Sequence, residues 1–419
     1  MGGIKVKKTL NRAATWEKNF YEFIFNKIFQ PMRDGRLTVA LPDGRQLLYG
    51  DGEGGVQADI TVRRSGLFKK CFWQGDVGFG ESYVNGDWDT SDVTRVIEWM
   101  IRNVENHPTL MSDKKKFTPV NWLGLLNIIS HLVRMNSIYG SRKNISAHYD
   151  LGNDFFKLFL DPTMTYSSAY FKTPDQDLQQ AQIQKYDELC RKLCLKETDR
   201  VLEIGGGWGG FAVHAAKNYG CHVTALTVSR EQFDYATKRF FEAGVNKLAE
   251  VKFCDYRLME GTFDKIVSIE MIEAVGDKYI DTYFRKCHEL LAKDGLLGLQ
   301  MILSPDHRYE SFRDNVDWIQ KHIFPGSLLP SMKRIMRGLD RTGSLCIFDY
   351  EDMTPHYVRT LATWRENFNA NLPEVKELGF DEAFVRKWNY YWSYCEAAFK
   401  TRNISVAQVV LTRPNNHKI

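Results

Sequence analysis

The sequence predicts an α/β protein with a doubly wound parallel sheet and a smaller accessory domain at its N-terminus. Between residues 185 and 305, buried strand-like runs alternate with amphipathic helical stretches, which is the pattern of successive strand–helix–strand units. A glycine-rich turn follows the first of these strands, at residues 205–210. Residues 36–75 instead contain short strand-like runs separated by Asp-Gly and Gly-Gly turns, which indicates a separate small domain.

The composition is that of a globular protein. Of the 419 residues, 43% are hydrophobic and 26% are charged, so the chain can bury a large core. No apolar run reaches the roughly 18–20 residues that a membrane span needs, and no signal peptide precedes the first domain, so we expect a cytoplasmic protein. The eight cysteines are scattered without the spacing of a zinc site, which predicts reduced thiols and no metal.

The accessory domain is predicted over residues 1–102. Residues 15–32 place aromatic and aliphatic side chains at helical spacing. Three strand-like runs follow between residues 36 and 64, and a helical stretch covers about residues 76–104. This order of elements is that of a helix followed by a small α+β domain.

Residues 103–145 are predicted to form a basic amphipathic linker. A lysine run precedes the apolar helical face of the segment NWLGLLNIISHLVRMN, which resembles an interfacial helix. Residues 1–34 carry seven basic and three acidic side chains, and residues 103–149 carry six and two, although the whole chain has a net charge of only +4. Two local basic segments on a protein with a small net charge indicate an anionic membrane surface as the partner rather than nucleic acid. An ordinary interdomain helix packed on the core is the alternative.

The third region, residues 146–419, contains the alternating pattern. Its predicted strands begin at residues 200, 222, 250, 263 and 296, and its predicted helices cover residues 210–220, 230–245 and 279–295. Each helix is long enough to cross back over the sheet, so the strands are expected to run parallel.

The glycine-rich turn predicts a nucleotide site. Gly205, Gly207 and Gly210 satisfy the G-x-G-x-x-G spacing that is typical of dinucleotide sites, but this spacing is a weak signal on its own. Glu203 ends the preceding strand, where a carboxylate suits a cationic amino-acid ligand better than a pyrophosphate. This favours S-adenosylmethionine (SAM) over a dinucleotide, with a purely structural turn as the alternative.

The ends of the next two strands also favour SAM. The second strand ends in Thr227 without the acidic residue that binds the ribose of NAD, and Gln232 can take that hydrogen-bonding role. Asp255 ends the third strand, where a carboxylate can accept a hydrogen bond from an adenine amino group. The three strand ends together predict a SAM site.

Six ordered stretches between residues 147 and 414 carry a wider resemblance. They are AHYDLGNDFFKLFLDPTMTYSSAYF, VLEIGGGWGGFA, TVSREQ, EMIEAVG, HIFPGSLLPS and WNYYWSYCEAAFKTRNISVAQVVLTRP. On these stretches the chain resembles the cyclopropane-fatty-acyl-phospholipid synthase family, relatives of the mycolic acid methyltransferases. Some of its sequence stretches are similar to those of plant synthase-like members, and others to those of bacterial members. The resemblance implies a Rossmann-like, SAM-dependent methyltransferase fold over residues 146–419.

The resemblance also implies an activity. A methyl group would pass from SAM to the double bond of an unsaturated acyl chain on a membrane phospholipid, and a bound bicarbonate would deprotonate the resulting carbocation to give a cyclopropane. The alternatives are a related lipid C-methyltransferase with a methylene- or methyl-branched product and a small-molecule SAM methyltransferase. We expect a homodimer associated peripherally with the inner face of the membrane.

Family matching implies roles for particular residues. Tyr166 and Ser167 would contact the amino-acid end of SAM. The residues expected to surround the rest of SAM are Glu203, Gly205, Gly207, Gly209, Thr227, Gln232, Asp255 and Tyr256. The residues expected around bicarbonate are Glu273, Tyr357, Ser168 and Gln300. Cys395 matches a cysteine proposed to be catalytic, and its alternative is a buried packing thiol.

Two positions depart from the better-known bacterial pattern. Ser168 stands where a cysteine is usual, and Gln300 stands where a histidine is usual. Both side chains can hydrogen-bond a small anion, but neither titrates near neutral pH. The departures therefore bear on how bicarbonate is held and on which product forms.

Overall fold

The computed structural model describes residues 22–105, except Ile24 and Glu53, and residues 151–417. These residues fall into two compact units, one made of residues 22–105 and 380–401 and the other of residues 151–379 and 402–417. The predicted linker lies almost entirely outside the described residues. Its amphipathic helix and the predicted boundaries at residues 102 and 145 therefore stay predictions.

The described residues contain strands and helices in a mixed order. The strands are β1 (Arg36–Ala40), β2 (Gln46–Tyr49), β3 (Gln57–Val62), β4 (Trp88–Asp89), β5 (Arg200–Ile204), β6 (His222–Thr227), β7 (Ala249–Phe253), β8 (Phe263–Ile269), β9 (Leu291–Leu303), β10 (Cys346–Asp352) and β11 (Ser405–Thr412). The helices are α1 (Gly66–Val84), α2 (Val93–Glu105), α3 (Asn153–Lys157), α4 (Leu178–Lys192), α5 (Gly210–Tyr219), α6 (Arg230–Glu242), α7 (Ile280–Leu290), α8 (Tyr309–Asp314), α9 (Trp318–His322), α10 (Met332–Thr342), α11 (Thr354–Ala370), α12 (Leu372–Glu377) and α13 (Glu382–Lys400).

The first unit is built on a four-stranded sheet in the order β2-β1-β3-β4. Strand β1 runs antiparallel to β2 and parallel to β3. The three predicted strand-like runs are confirmed as β1, β2 and β3. The predicted helical stretch at about residues 76–104 is two helices, because α1 begins earlier and β4 separates it from α2.

Helix α13 packs within this first unit, although it is far away in the sequence. The Arg386 guanidinium of α13 lies 4.0 Å from the ring centroid of Tyr83 and donates to the carbonyl oxygens of Tyr83 and Trp88. It also pairs with Asp89 at 2.7 Å. The sequence assigned residues 382–400 to the SAM-binding region, whereas their contacts group them with the N-terminal elements.

The second unit is built on a seven-stranded sheet in the order β10-β11-β9-β8-β5-β6-β7. Strands β5, β6, β7, β8 and β9 run parallel to one another, whereas β11 runs antiparallel to both β9 and β10. Strand β9 begins at Leu291 rather than at the predicted residue 296.

Helices cover both faces of the seven-stranded sheet. On one face, Leu202 and Ile204 of β5 belong to an apolar cluster with residues of α7 and α10. On the other face, Val201 of β5 and Val223 of β6 belong to a cluster with residues of α4, α5 and α6. Successive strand residues point to opposite faces, so both faces being buried explains the nearly continuous apolar strands. The predicted doubly wound α/β sheet is confirmed.

The order of the strands brings several loops to one edge of this sheet. From β5 the chain passes through α5 to β6 on one side, and from β8 it passes through α7 to β9 on the other side. The strand order therefore reverses between the neighbours β5 and β8. Ligands of open α/β sheets bind at the carboxyl ends of strands at such a reversal. The loops after β5, β6, β7 and β8 therefore define the candidate site.

Candidate active site

The glycine-rich turn after β5 depends on backbone conformations that favour glycine. Gly205 has a φ of +86° and Gly209 a φ of +81°. The N–H groups of Gly205 and Gly206 both donate to the carbonyl oxygen of Leu226, at 3.1 and 2.8 Å, which ties the turn to β6. A Cβ atom on Gly209 would lie 2.6 Å from the ring of Phe240. The turn can therefore form only with very small residues, and α5 begins directly after it.

Glu203 presents a buried carboxylate oxygen beneath this turn. Its side chain is 3% exposed, and its Oε2 atom has no hydrogen-bond partner. A Cβ atom on Gly206 would lie 3.3 Å from that oxygen, whereas a Cβ atom on Gly207 would meet nothing within 4 Å. Burial raises the pKa of Glu203 to about 8, against the opposing effect of Lys185. An unpartnered acceptor under an open turn fits the ammonium group of an amino-acid ligand such as SAM.

The end of β6 carries the residues predicted to meet the ribose. Thr227 donates from Oγ1 to the Oε1 atom of Gln232 at 2.8 Å and accepts a hydrogen bond from the N–H of Ser229 at 3.1 Å. Ser229 caps helix α6. The structure thus brings Thr227 and Gln232 together, both buried, at the same sheet edge as the glycine-rich turn.

The end of β7 differs in detail from the prediction. Asp255 is buried, and its two oxygens accept hydrogen bonds from the guanidinium of Arg257 at 2.8 and 2.6 Å. Tyr256 packs edge-on against Tyr283, with ring centroids 5.4 Å apart. Asp255 and Tyr256 are thus adjacent at the predicted place, but the Asp255 carboxylate already has a cationic partner that the sequence analysis did not identify.

Helix α4 holds the segment that contains Tyr166 and Ser167. Lys185 donates to Oγ of Ser167 at 2.7 Å, and Gln182 donates to its carbonyl oxygen at 2.9 Å. Lys185 is completely buried, and burial lowers its pKa to about 7. The ring centroid of Tyr166 lies 5.2 Å from that of Trp364. The amino-acid end of the predicted SAM site is therefore built on a buried lysine.

Three residues predicted to hold bicarbonate meet at another carboxylate. The N–H of Ser168 and Nε2 of Gln300 each donate to Oε1 of Glu270 at 2.8 Å. Oη of Tyr357 donates to Oε2 of Glu270 at 2.7 Å. Burial raises the pKa of Glu270, and the three hydrogen bonds oppose that rise. We call these three donors and the carboxylate between them the Glu270 cradle.

Glu273 lies next to the Glu270 cradle but does not join it. Its Oε1 atom accepts a hydrogen bond from the N–H of Ile302, and its Oε2 atom is buried without a partner. Burial and then the charge of Glu270 raise the pKa of Glu273 to about 8. The donors expected around bicarbonate already contact Glu270, so this arrangement of residues does not fit a bound bicarbonate.

Cys395 lies on α13, in the first unit. Its side chain is half-buried. The proposed catalytic role of Cys395 stays a prediction.

Sequence reasoning missed Glu270, Lys185 and Arg257. Glu270 directly follows β8, at the sheet edge where ligands bind, and its position alone is a signal. Lys185 stands among the inward-facing residues of α4, where a lysine is unusual. Arg257 is only two residues from its partner Asp255, but their pairing depends on the conformation of the turn between them.

Two further findings concern the described residues. No group of three or more His, Cys, Asp or Glu side chains among them could hold a metal ion. Within residues 22–105 and 151–417, we find no helix that is both long and apolar enough to cross a membrane.

Comparison with known proteins connects this chain to one group of enzymes. The family model described as mycolic acid cyclopropane synthetase matches residues 137–409. The chain is 37% identical over 385 residues to the tuberculostearic acid methyltransferase UfaA1 of Mycobacterium tuberculosis, covering 88% of this chain and 87% of that protein. It is also 37% identical over 363 residues to the cyclopropane-fatty-acyl-phospholipid synthase of Escherichia coli K12, covering 86% and 89%.

Solved structures of other proteins are also similar to this chain. The cyclopropane synthase MmaA2 of Mycobacterium tuberculosis superposes with a TM-score of 0.60 at 31% identity, covering 65% of this chain and 98% of that one. Coclaurine N-methyltransferase superposes with a TM-score of 0.61 over 80% of this chain, and its 22% identity shows a shared fold alone.

Proposed function

Because the chain belongs to the mycolic acid cyclopropane synthetase family and is a SAM-dependent C-methyltransferase that modifies lipid acyl chains, we propose a specific reaction for it. The substrate is an unsaturated acyl chain of a membrane phospholipid, and the product is a cyclopropane. The observation that carries the proposal is the buried, unpartnered Oε2 atom of Glu203 beneath the open glycine-rich turn.

The residues at the sheet edge supply the binding site for SAM. Glu203 accepts from the ammonium group, and Ser167, held by Lys185, borders the same end. Thr227 and Gln232 serve the ribose, while Asp255 and Tyr256 flank the adenine. When bound, SAM supplies an electrophilic methyl group.

The aromatic rings explain how a poor nucleophile can react. Tyr166 and Tyr357 both pack against Trp364, with ring centroids 5.2 and 6.1 Å apart. The π pair of the alkene forms a bond to the methyl carbon while the carbon–sulfur pair leaves with sulfur, and the second alkene carbon becomes cationic. Each desolvated aromatic face can stabilise such a cation by about 1–2 kcal/mol. Holding the alkene in one orientation against these rings would lower the barrier further.

A second product is favoured by one comparison. The chain is as similar to a relative named for a methyl transfer as to one named for a cyclopropane. If the cation moves by hydride shift before it loses a proton, the product is a methylene-branched chain, or a methyl-branched chain that keeps a double bond. Both products come from the same cation, so the assay must separate them.

The test uses the purified full chain with SAM and vesicles of a mono-unsaturated phospholipid. Fatty acids released from the vesicles are analysed by gas chromatography with mass spectrometry. The cyclopropane is supported by a product that is heavier by one methylene unit and has no double bond, so that it resists mild hydrogenation. A product of the same mass that still contains a double bond would show that the branched product forms instead of the cyclopropane. No product from any unsaturated vesicle would refute the proposed substrate class.

We also propose that the protein works as a homodimer on the surface of a membrane. The two basic segments, residues 1–34 and 103–149, supply the attraction to anionic lipid, and two copies would strengthen a weak contact by avidity. Light scattering should give twice the chain mass. Flotation with anionic vesicles should carry the protein upward, and high salt should release it. A monomer that stays at the bottom of the gradient would contradict this proposal.

A further inference from the structure

We propose that the carboxylate of Glu270 is the base that takes the proton from the methylated acyl chain, so that this chain carries its own base where the resemblance implies bicarbonate. This inference rests on the proposed function. Glu270 is then a catalytic residue, and Ser168, Gln300 and Tyr357 hold it in place. None of the roles implied by the family resemblance includes Glu270.

The Glu270 cradle is complete without a bound anion. Three donors, one backbone N–H, one amide and one phenol, converge on the two oxygens of Glu270 at 2.7–2.8 Å. The N–H of Glu270 also donates to the carbonyl oxygen of Gln300 at 2.7 Å, which fixes the backbone beside the carboxylate. A bicarbonate ion would have to displace a tethered carboxylate of the same charge from its own donors.

The hydrogen bonds around Gln300 hold its amide group in one orientation. Its Oε1 atom accepts a hydrogen bond from Nε2 of Gln408 at 3.2 Å. The Oε1 atom of Gln408 in turn accepts from Nζ of Lys192 at 3.1 Å. Because a lysine ammonium can only donate, it orients Gln408, and Gln408 orients Gln300 with its NH₂ group towards Glu270. Lys192 and Gln408 are therefore positioning residues for the base.

The backbone at Glu270 has an unusual conformation. This residue has a φ of +48°, a left-handed conformation that is uncommon for residues other than glycine. Such conformations persist where the surrounding contacts hold them, and they cluster at functional sites. Here the conformation turns the chain after β8 so that the side chain meets all three donors.

Glu270 also lies close to the aromatic rings beside which the cation would form. Tyr357 donates to Glu270, and its ring packs edge-on against Trp364. Trp364 also contacts Tyr166. The carboxylate thus lies at the border of the same aromatic group that would stabilise the cation. A base at this border can reach a proton of the new methyl group while its negative charge also stabilises the cation.

The proton transfer balances without another reactant. One oxygen of Glu270 forms an O–H bond with a proton of the transferred methyl group. The electron pair of the broken C–H bond forms the third C–C bond of the ring and neutralises the cationic carbon. Glu270 becomes a neutral acid and returns its proton to solvent after the product leaves. For a methylene product, the same oxygen takes the proton after the hydride shift, and the pair forms the new double bond.

Two substitutions separate this assignment from a bound bicarbonate. Glu270→Gly empties the cradle and suits the left-handed backbone, so the three donors become free to bind an anion. Glu270→Gln keeps the volume but presents an NH₂ group to a donor, so the cradle stays filled by a group that cannot accept a proton. Cys194→Gly is the matched control, because Cys194 is exposed and also has a positive φ, of +49°.

The first readout is the binding of ¹³C-labelled bicarbonate to the full chain without lipid. Binding is measured as broadening of the ¹³C NMR signal of bicarbonate. We expect broadening with Glu270→Gly and none with the wild type, Glu270→Gln or Cys194→Gly. Broadening with the wild type would overturn the assignment, whether or not the protein methylates lipid. Calorimetry with SAM checks that each variant still folds its binding site.

The second readout is acyl methylation in buffer freed of carbon dioxide. We expect the wild type and Cys194→Gly to react equally fast with and without added bicarbonate. Both Glu270 variants should lose about 100-fold or more in kcat at an unchanged KM for SAM, and bicarbonate should restore part of the rate to Glu270→Gly alone. A wild-type rate that requires bicarbonate would refute the inference. A wild type that methylates no lipid in either buffer would refute the proposed function instead, and the binding readout would still decide what occupies the cradle.

Discussion

At the scale of single residues, two carboxylates at the edge of the sheet have opposite surroundings. Glu203 is buried with one oxygen unpartnered, whereas Glu270 accepts hydrogen bonds from three protein donors. An unpartnered buried acceptor is costly until a ligand supplies a donor. A fully supported carboxylate is held in one place and needs no ligand. This difference is why we assign ligand binding to Glu203 and proton transfer to Glu270.

Glu203→Gln should weaken SAM binding without harming the fold. Loss of one charge-assisted hydrogen bond corresponds to about 10- to 100-fold in affinity, measured by calorimetry. The pKa of Glu203 is raised to about 8, so between its ordinary value and about pH 8 the folded protein keeps a proton that the unfolded chain has lost. The free energy of unfolding therefore falls as pH rises over this range, and Glu203→Gln should reduce that fall.

The same variant tests the surroundings of Glu203 by thermal unfolding without ligand at pH 6 and pH 8. We expect the wild type to lose more stability between these two values than Glu203→Gln does. An equal loss in both proteins would contradict a raised pKa at this position, and unchanged SAM affinity would contradict the binding role.

Gln300→Met should move the pH dependence of the reaction. The Gln300 amide donates to Glu270 and lowers its pKa, so its loss raises the pKa of the base further. The other titratable groups that act on this carboxylate are Lys185, Glu273 and Tyr357. The base must be ionised, so kcat falls as pH falls through its pKa, and the acid limb of the kcat profile should shift to higher pH.

An acid limb that stays in place in Gln300→Met would contradict the role of Glu270 as the base. A merely structural role for Gln300 would lower the melting temperature without moving that limb. Gln408→Leu offers a milder second variant, because it removes only the group that orients the Gln300 amide. Its acid limb should move in the same direction and by a smaller amount.

At the scale of elements, the turn between β5 and α5 depends on where each glycine lies. Gly209→Ala combines a left-handed backbone with a methyl group 2.6 Å from the ring of Phe240. Gly244→Ala is the matched control, because Gly244 has a φ of +69° and its Cβ atom would meet nothing within 4 Å. The control should lose about 1–2 kcal/mol of unfolding free energy. Gly209→Ala should lose more and should also bind SAM less tightly.

Chemical denaturation and SAM calorimetry on both proteins check this expectation. Equal losses of stability would mean that the contact with Phe240 relaxes without cost. Normal SAM affinity in Gly209→Ala would mean that the turn does not shape the ligand site.

Helix α4 shows how one element serves both packing and chemistry. Its apolar residues, such as Leu189, pack on the sheet, while Gln182 and Lys185 lie one turn apart and both hold Ser167. Side chains three residues apart share a helix face, so one face of α4 carries both groups to the site. A buried lysine on an apolar face is costly unless it is paired, and its hydrogen bond to Ser167 and the acidic groups around it supply that compensation.

At the scale of the whole molecule, α13 belongs by its contacts to the unit formed by the N-terminal residues. Arg386 joins α13 to Tyr83, Trp88 and Asp89. Arg386→Met should cost about 1.5–3 kcal/mol of the free energy of unfolding of this unit, because charge-assisted hydrogen bonds are lost. Lys238→Met is the control, since its ion pair with Glu242 is exposed and is expected to contribute at most about 1 kcal/mol.

Hydrogen exchange measured by mass spectrometry can locate this effect. Arg386→Met should speed exchange in α13 and β4 and leave β5 and β6 unchanged. Faster exchange spread equally over β5 and β6 would contradict the division into two units.

The sequence by itself determined the order of strands and helices in the sheet and the position of the glycine-rich turn. It also placed Glu203, Thr227 and Asp255 at successive strand ends. These features are local, because helical and strand periodicity and the φ preference of glycine act over a few residues. Parallel strands then bring their carboxyl ends to one edge. The resemblance to the family, confirmed by the comparisons, came from ordered motifs of the same local kind.

Only the tertiary structure decided which of these groups face one another. Ser168 and Glu270 are 102 residues apart in sequence, and Gln300 and Gln408 are 108 apart, so no local pattern predicts their hydrogen bonds. The same holds for Lys185 beneath Ser167 and for α13 among the N-terminal elements. A hydrogen bond needs its donor and acceptor within about 3 Å of each other, and chain packing alone brings such distant residues together. The structure therefore turned three residues predicted around bicarbonate into the support of a carboxylate from the protein itself.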